Sequence, residues 1–278
     1  MKVALGTVIY RAAWPYKEEF IQSVNNQTVQ DFEVLIINDG MDEKEVEELK
    51  TALQRNVTVV EAGKNRTISE IRKILLAEAK QIGIGLLVLS DFDDVFDRDR
   101  VEKTVYAVDN DICIYYNNLR TFDGNIVFRY LPAQVKHYGD ILEHNFLGLS
   151  NTALKMDLID LDFILELSEV KTNVFDWYLF SRLLVEGKQG KLVEESYTYY
   201  RIAGNNIAGL NENKFENIKK EIIVKCCQYS LLCDEKPEYN ILFDKYSKLK
   251  PEEAETLMQQ QRNRENLGYW WSNLNLYN

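Results

Sequence analysis

The sequence predicts an α/β protein whose core is a Rossmann-like, mostly parallel sheet flanked by helices. Three observations predict it. Short apolar segments of strand length recur through the first ninety residues, segments with helical periodicity separate them, and polar side chains follow the strand ends. Parallel sheets of this kind bind ligands beyond the C-terminal ends of their strands. We therefore expect the functional residues directly after each strand.

The parallel part is predicted to contain four strands, with one helix after the first strand and another after the third. The predicted strands are residues 3–9, 32–37, 57–60 and 86–89. Pro15 opens the first helical segment, in which Phe20 and Val24 recur at helical spacing. Thr67-Ile68-Ser69-Glu70 has the pattern of a capping box, and it predicts the start of another helix.

Antiparallel additions are predicted after residue 94. A short helix around Val101 and Val105 precedes two strands, at 112–116 and 126–130, and Asp123-Gly124 between them predicts a hairpin turn. A helix at about 174–186, which Gly187 would stop, and a strand at 192–200 follow. From residue 214 the pattern is helical. We expect an α/β domain at residues 1–210 and a helical C-terminal extension at residues 211–278, where Trp270-Trp271 is interpreted as a packed helix end.

Composition and charge exclude several classes of function. The chain of 278 residues has 33 Lys and Arg against 44 Asp and Glu, a net charge of −11, which argues against binding to nucleic acid. No apolar run approaches the roughly 18–20 residues that cross a bilayer, so no transmembrane segment is expected. The four cysteines have neither metal-site spacing nor the density of a disulfide scaffold. We expect a cytoplasmic protein, and peripheral contact with a membrane stays open.

Three carboxylates, those of Asp91, Asp93 and Asp94, follow the fourth predicted strand. Carboxylates at the end of a buried strand repel one another and need a compensating cation. Mg²⁺ and Mn²⁺ suit oxygen ligands, and proteins usually hold them with one or two carboxylates and substrate phosphates. The alternative is a solvated loop whose aspartates cap the next helix.

Two further polar residues are predicted to lie at the same edge of the sheet. Asp39 ends the second strand and could accept a hydrogen bond from a nucleobase N–H, although it could also be an ordinary turn aspartate before Gly40. Arg72 lies one turn inside the helix that starts near Thr67. It could reach a phosphate or a base, or it could be a solvated helix arginine.

Short motifs at these positions resemble those of a known family. Ser23-Val24-Asn25-Asn26-Gln27-Thr28, followed by Glu33-Val34-Leu35-Ile36-Ile37-Asn38-Asp39-Gly40, resembles S-x-x-x-Q-T … E-h-I-h-D-D-G. Ile71-Arg72-Lys73 resembles A-R-N with Lys in place of Asn, and Asp91-Phe92-Asp93 is similar to D-x-D. The chain thus resembles family 2 glycosyltransferases with the A-type nucleotide-sugar fold, over about residues 2–210.

The resemblance extends to two later motifs. Phe175-Asp176-Trp177-Tyr178-Leu179-Phe180-Ser181-Arg182-Leu183 resembles the family's E-D-x-x-L-x-x-R-L helix, in which the aspartate is the catalytic base, although Phe175 replaces the glutamate. Tyr200-Arg201-Ile202-Ala203-Gly204-Asn205-Asn206 resembles Y-R-x-H-G-N-N, with Ala203 in place of histidine. The resemblance implies these roles: Asp176 as catalytic base, Asp91 and Asp93 at the metal, and Thr7, Asp39, Arg72, Asp91, Asp93 and Arg201 at the donor.

The resemblance implies an inverting glycosyltransferase that moves a sugar from a nucleotide diphosphate donor, expected to be a UDP-sugar, to a hydroxyl of a saccharide or another acceptor. Mn²⁺ or Mg²⁺ would assist the reaction, and residues 1–210 would form the catalytic domain. Two alternatives stay open. Asp91-Phe92-Asp93-Asp94-Val95 also resembles D-x-D-G-T of haloacid-dehalogenase phosphatases, with Asp91 as nucleophile, and the changes at Phe175 and Ala203 suggest a non-catalytic sugar-nucleotide-binding protein. The C-terminal segment could complete the acceptor site, form a homodimer contact through its helices or touch a membrane surface.

Overall fold

The first part of the chain folds as successive β-α units. In a computed structural model, residues 1–167, 172, 174–201, 214–261 and 267–277 are described. Ala203, and the domain boundary expected at residue 210, lie outside these residues. The elements are β1 (Val3–Tyr10), a 3-10 turn (Trp14–Tyr16), α1 (Lys17–Asn25), β2 (Glu33–Asp39), α2 (Glu43–Ala52), β3 (Val57–Glu61), α3 (Ile68–Gln81) and β4 (Leu86–Leu89).

Shorter and more irregular elements follow. They are β5 (Val95–Phe96), α4 (Arg100–Ala107), β6 (Ile114–Thr121), β7 (Gln134–Val135), β8 (Thr152–Lys155), α5 (Leu161–Glu166), α6 (Phe175–Val185) and β9 (Gly190–Tyr200). The C-terminal helices are α7 (Lys214–Leu232), α8 (Pro237–Lys248) and α9 (Pro251–Gln260). No helix in the described part of the chain is long and apolar enough to cross a membrane.

The nine strands of the described residues form one mixed sheet. Its order is β3-β2-β1-β4-β8-β6-β9-β5, and β7 pairs separately with β9. The strands β3, β2, β1 and β4 are parallel, as is the β6–β9 pair, whereas β8, β5 and β7 pair antiparallel with their neighbours. The predicted fold class, a mostly parallel α/β sheet with antiparallel additions and a helical C-terminal segment, is confirmed.

The N-termini of two helices are fixed by capping boxes, of which the sequence analysis found one. At α3, the Glu70 carboxylate accepts from Thr67 N at 2.7 Å, and the Glu70 backbone N–H donates to the Thr67 hydroxyl at 3.3 Å. At α2, Asp42 and Glu45 form the same box. That helix was not predicted, because only two of its residues are buried and its sequence therefore shows little hydrophobic periodicity.

The predicted hairpin after β6 is confirmed only at its turn. The chain reverses at Asp123-Gly124, where Gly124 has a φ of +89°, and an isolated antiparallel bridge joins Arg120 to Ile126. The predicted strand at residues 126–130 is wrong, because these residues form no strand. The Asn118 side chain then takes the place of the next strand residue, because it donates to Phe128 O at 2.7 Å and accepts from Phe128 N at 3.3 Å. One edge of β6 is meanwhile occupied by β9 and part of the other by β8, which limits pairing with residues 126–130.

Apolar layers cover both faces of the sheet. Alternate residues of β1 serve the two layers: Ala4 and Val8 pack on the side of α3, whereas Leu5 and Ile9 pack on the side of α1 and α2. The C-terminal helices join the first layer, to which they contribute the buried rings of Tyr229, Tyr239 and Tyr246. The division at residue 210 stays a prediction.

Candidate active site

A cavity of about 290 Å³ lies at the C-terminal ends of β1 and β4. Seven site residues were predicted, and five of them line it: Arg72, Asp91, Asp93, Asp176 and Arg201. They come from α3, the loop after β4, the first turn of α6 and the end of β9. The fold thus brings together residues that are up to 129 positions apart in the sequence. Asp91, Asp93 and Arg201 follow strands, as the strand-end argument predicted, whereas Arg72 and Asp176 lie on helices.

The acidic loop after β4 is fixed to β1 beneath it. The Ser90 backbone N–H and hydroxyl both bond to Gly6 O, at 3.0 and 3.1 Å. Phe92 is fully buried, and its ring packs against that of Phe20 with centroids 4.6 Å apart. Burial of the middle residue leaves Asp91 and Asp93 on the cavity side.

The three aspartates of this loop have different surroundings. Asp91 forms an ion pair with Arg72, with Nη2 and Oδ1 2.5 Å apart. Asp94 is buried and accepts from the Ser150 hydroxyl and, at 2.9 Å, from the Arg201 backbone N–H. Burial, together with the charges of Asp91 and Asp93, raises the pKa of Asp94 well above its usual value. We therefore assign Asp94 a structural role.

Asp93 is the carboxylate best placed to give oxygens to a metal. Burial and the neighbouring Asp91 raise its pKa, as expected for an acid that needs a further cation. In the described residues no three His, Cys, Asp or Glu side chains converge as a complete metal site. A divalent ion would therefore need oxygen ligands from a bound phosphate, which is the usual arrangement for Mg²⁺.

Arginines already supply positive charge around this loop. Arg201 Nε donates to Asp93 O at 2.9 Å, and its guanidinium lies over the ring of Tyr16, 4.0 Å from the centroid, and pairs with Glu19. Arg100 is buried beneath the loop, where Nη2 donates to Leu89 O at 2.8 Å, and burial lowers its pKa to about 9. Arg100 was not predicted to be a site residue, because it lies in a charged stretch of sequence without a motif.

Asp176 lies half-buried in the first turn of α6. Its Oδ2 accepts from Asn145 Nδ2 at 3.3 Å. Burial raises its pKa to about 6, and the charge of Asp91 adds to this, while the Trp177 backbone N–H and Arg72 oppose it. Val174, the residue at the N-cap position, makes no capping bond through its side chain in the described structure. The sequence also allows a helix-capping role for Asp176, three residues after Asn173 as N-cap, but Asn173 lies outside the described residues.

Two predicted donor-binding residues are not among the cavity-lining residues that the structure describes. Thr7 lies in the middle of β1 and is fully buried, and its hydroxyl has no hydrogen-bond partner within the described part of the chain. Asp39 ends β2 and is half-buried. It is in register with Tyr10, which does line the cavity. Both roles stay predictions.

Aromatic side chains complete the cavity wall, and none of them was predicted to be a site residue. They are Tyr10, Phe175, Tyr200, Trp270 and Trp271. The interpretation of the tryptophan pair as a packed helix end is wrong, because residues 267–277 as described contain no helix. No local pattern could have revealed their position, since the backbone of Trp270 pairs with Asn145, far away in the sequence.

Comparisons with known proteins agree with this architecture. The family model described as glycosyl transferase family 2 matches residues 6–152. The Uncharacterized glycosyltransferase MJ1057 of Methanocaldococcus jannaschii is 24% identical over 231 residues, which cover 79% of this chain and 75% of that protein.

Solved structures share the fold at low sequence identity. TarS 1-349 of S. aureus in complex with UDP-GlcNAc has a TM-score of 0.60 at 12% identity, with 96% of this chain and 83% of that chain covered. The mannosyltransferase PcManGT of Pyrobaculum calidifontis, in complex with GDP-Man and Mn²⁺, has a TM-score of 0.58 at 12% identity, with 95% and 76% covered. Since the family model spans more than half of the chain, the resemblance is confirmed: the protein belongs to glycosyl transferase family 2 and is a glycosyltransferase.

Proposed function

We propose that the protein transfers a sugar from a nucleotide diphosphate donor, expected to be a UDP-sugar, to an acceptor hydroxyl with inversion at the anomeric carbon. One observation carries the proposal: a single cavity is lined by Asp176, by the acidic loop and by Arg72. A candidate general base (Asp176), an arginine (Arg72) and carboxylates able to bind a metal ion therefore line the same substrate-sized cavity.

The donor diphosphate would lie between the acidic loop and α3. Arg72 would bind the phosphate oxygens of the donor, because a guanidinium binds phosphate through paired N–H groups. In the free protein this guanidinium is held by Asp91, which keeps it at the cavity wall. Asp93 and Asp91 would hold a Mn²⁺ or Mg²⁺ ion, which when bound supplies positive charge to the leaving diphosphate.

Asp176 is the proposed general base. A pKa of about 6 leaves it ionised at neutral pH and still basic enough to take a proton as the acceptor oxygen bonds to the anomeric carbon. Asn145 holds Oδ2, which orients the carboxylate toward the cavity. A single base that activates an attacking hydroxyl on the face opposite the diphosphate gives inversion.

The preference for UDP follows from Asp39. Its carboxylate ends β2 beside Tyr10 and could accept from the N3–H of uracil. The solved structures with this fold include complexes with UDP-GlcNAc and with GDP-Man, so the fold itself does not specify the base.

The alternatives make different predictions at the same residues. The haloacid-dehalogenase alternative is not supported, because the acidic loop belongs to a domain of glycosyl transferase family 2. A non-catalytic protein would bind UDP without turning over any nucleotide sugar.

Replacement of Asp176 by Asn tests the proposal. It preserves size but removes basicity, so we expect transfer to fall by a factor on the order of 10² or more while UDP affinity is kept. The matched control is Asp162→Asn, an exposed aspartate in the first turn of α5, which should change neither quantity. Near-normal turnover in Asp176→Asn, or a product that retains the donor's anomeric configuration, would contradict the proposed role.

A further inference from the structure

Residues 267–277, here called the C-terminal strap, close one side of the cavity. The strap bonds to the α/β body at its beginning: Arg129 N donates to Leu267 O at 2.9 Å. Gly268 then has a φ of +81°, and a Cβ at this position would lie 2.2 Å from Val127 O. A glycine is therefore required where the strap crosses residues 127–129.

The far end of the strap is held by buried charges. Glu143 accepts from the backbone N–H groups of Leu276 and Tyr277 at 2.6 and 2.7 Å. Glu221 accepts from Leu274 N at 3.0 Å, and it pairs with the buried Lys225 at 3.2 Å. Buried charges are tolerated only when fully hydrogen-bonded, so this network favours one fixed position of the strap.

Between these anchors, the strap places two indoles at the cavity. Trp271 has a left-handed backbone with a φ of 60°, which is uncommon for a bulky residue. This conformation breaks the alternation that would direct consecutive side chains to opposite faces. Both tryptophans thus line the cavity.

The indole of Trp270 is held on several sides. It lies so close to Gly148 that a Cβ there would be 2.7 Å from the ring, and it meets the ring of Phe128 edge-on at 5.1 Å. Tyr200 lies 6.2 Å away, ring centroid to ring centroid. This indole, here called the Trp270 platform, is therefore preorganised, which lowers the entropic cost of binding a ring against it.

Asn145 connects this platform to the proposed base. Its backbone bonds Trp270 in both directions, N to O and O to N, each at 2.9 Å. Its side-chain amide donates to Asp176 Oδ2 at 3.3 Å. A molecule that rests on the indole is thus placed at a fixed position relative to the group that takes the acceptor's proton.

We propose that Trp270 forms the binding site for the acceptor and that the acceptor is a saccharide with a pyranose ring. The inference rests on the proposed function and narrows its acceptor. A pyranose presents C–H groups on one face, which bury apolar area against an indole, and hydroxyls at its edge, one of which reaches Asp176. An open-chain polyol has no flat face for such a platform.

The test compares Trp270→Leu with the wild type. Leu keeps an apolar side chain but removes the flat face. Acceptors are the p-nitrophenyl glycosides of glucose, galactose and N-acetylglucosamine, with ribitol and glycerol as open-chain comparisons, and donors are the corresponding UDP-sugars. We expect at least a tenfold rise in the KM for the pyranoside, against a change of less than twofold in the Kd of UDP. Tyr277→Ala, in the same strap but outside the residues that line the cavity, is the matched control and should leave both constants unchanged.

A second measurement does not depend on turnover, nor on whether the protein folds with leucine at position 270. Titration of the UDP-bound protein with the p-nitrophenyl glycosides should change tryptophan fluorescence in the wild type, and in Trp270→Phe the change should require at least a fivefold higher glycoside concentration. Wild-type transfer combined with unchanged acceptor constants in both tryptophan variants would overturn the inference and leave the proposed function intact, and so would a preference for ribitol or glycerol. Glycoside binding that depends on Trp270, without transfer to any acceptor, would support the binding site and overturn the proposed function instead.

Discussion

The local surroundings of each carboxylate distinguish residues that the sequence presents as equivalent. Asp91, Asp93 and Asp94 are near neighbours, yet Asp91 is paired with Arg72 and Asp94 is hydrogen-bonded internally to Ser150 and Arg201. Asp93 is the carboxylate that we propose to bind a cation. Asp176 differs again, because burial raises its pKa to about 6 without a neutralising ion pair at close range in the described structure. These differences lead to opposite predictions for stability.

Asp176→Asn should stabilise the fold at neutral pH. The pKa of Asp176 is about 6 in the folded protein against an ordinary value of 3.8, so the folded state binds this proton more tightly than the unfolded state. The stability that the protonated Asp176 contributes is therefore fully present below about pH 4 and is lost as the pH rises through 6. Asn cannot ionise, so the variant should gain on the order of 2 kcal/mol at pH 7.5, or several degrees in Tm, and nothing near pH 4. Thermal unfolding at both pH values checks this, and a lowered Tm at pH 7.5 would identify Asp176 as a helix cap.

Within the acidic loop, Asp93→Ala and Asp94→Ala should separate metal binding from folding. Asp93→Ala should abolish the Mn²⁺-dependent tightening of UDP binding while Tm changes little. Asp94→Ala removes the buried acceptor of the Ser150 hydroxyl and the Arg201 N–H, and the loss costs about 1–3 kcal/mol of stability for each group. Its main effect should therefore be a lower Tm. Calorimetric titration of UDP with and without Mn²⁺, with a melting curve for each variant, measures both effects. Unchanged metal dependence in Asp93→Ala would put the metal elsewhere.

At the scale of elements, the sequence predicts what local periodicity encodes. The four parallel strands and α3 were predicted. Asp91, Asp93 and Arg201 meet because the strands that they follow end at one edge of the sheet, whereas Arg72 and Asp176 reach the cavity from helices. The element α2 was missed because it has few buried residues and therefore little hydrophobic periodicity. Residues 126–130 were wrongly predicted as a strand, because the Asn118 side chain, and not a strand backbone, bonds the Phe128 backbone. The Trp270 platform depends on a long-range backbone pairing, and no pattern within a short window could predict it.

The capping box of α3 should support the donor site as well as the helix. Thr67→Ala removes the hydroxyl that accepts from Glu70 N, and Arg72 lies one turn further along the same helix. We expect a loss of about 1 kcal/mol in the free energy of unfolding together with a severalfold weaker binding of UDP. Asp42→Ala is the matched control, because it breaks the same kind of box on α2, a helix without residues that line the described cavity. It should lower stability by a similar amount and leave UDP affinity unchanged. Equal UDP affinity in both variants would argue against a donor site on α3.

At the scale of the whole molecule, one core joins the parallel sheet to the C-terminal helices. Trp177 of α6 packs against Tyr229 of α7 with centroids 6.2 Å apart, and Tyr229 donates to Leu142 O at 3.1 Å. The C-terminal strap then returns to the α/β body at Arg129, Glu143 and Asn145. The division at residue 210 stays a prediction, and these contacts join the two parts on either side of it.

This coupling predicts one cooperative unfolding transition that UDP and Mn²⁺ shift as a whole. A ligand that binds only the native state stabilises it by RT ln(1 + [L]/Kd), about 2.7 kcal/mol at one hundred times Kd, and in a single cooperative unit all of that free energy appears in one transition. Scanning calorimetry should therefore give a single peak that moves to higher temperature with UDP and Mn²⁺. GDP and ADP at the same concentration should shift it less, because we propose that Asp39 accepts a hydrogen bond from uracil. Glu143→Gln, which weakens the anchor of the strap, should lower the temperature of this peak without splitting it. Two peaks, of which UDP moves only the first, would show that the C-terminal helices unfold as a separate unit, and equal shifts with UDP, GDP and ADP would remove the basis for the uridine assignment.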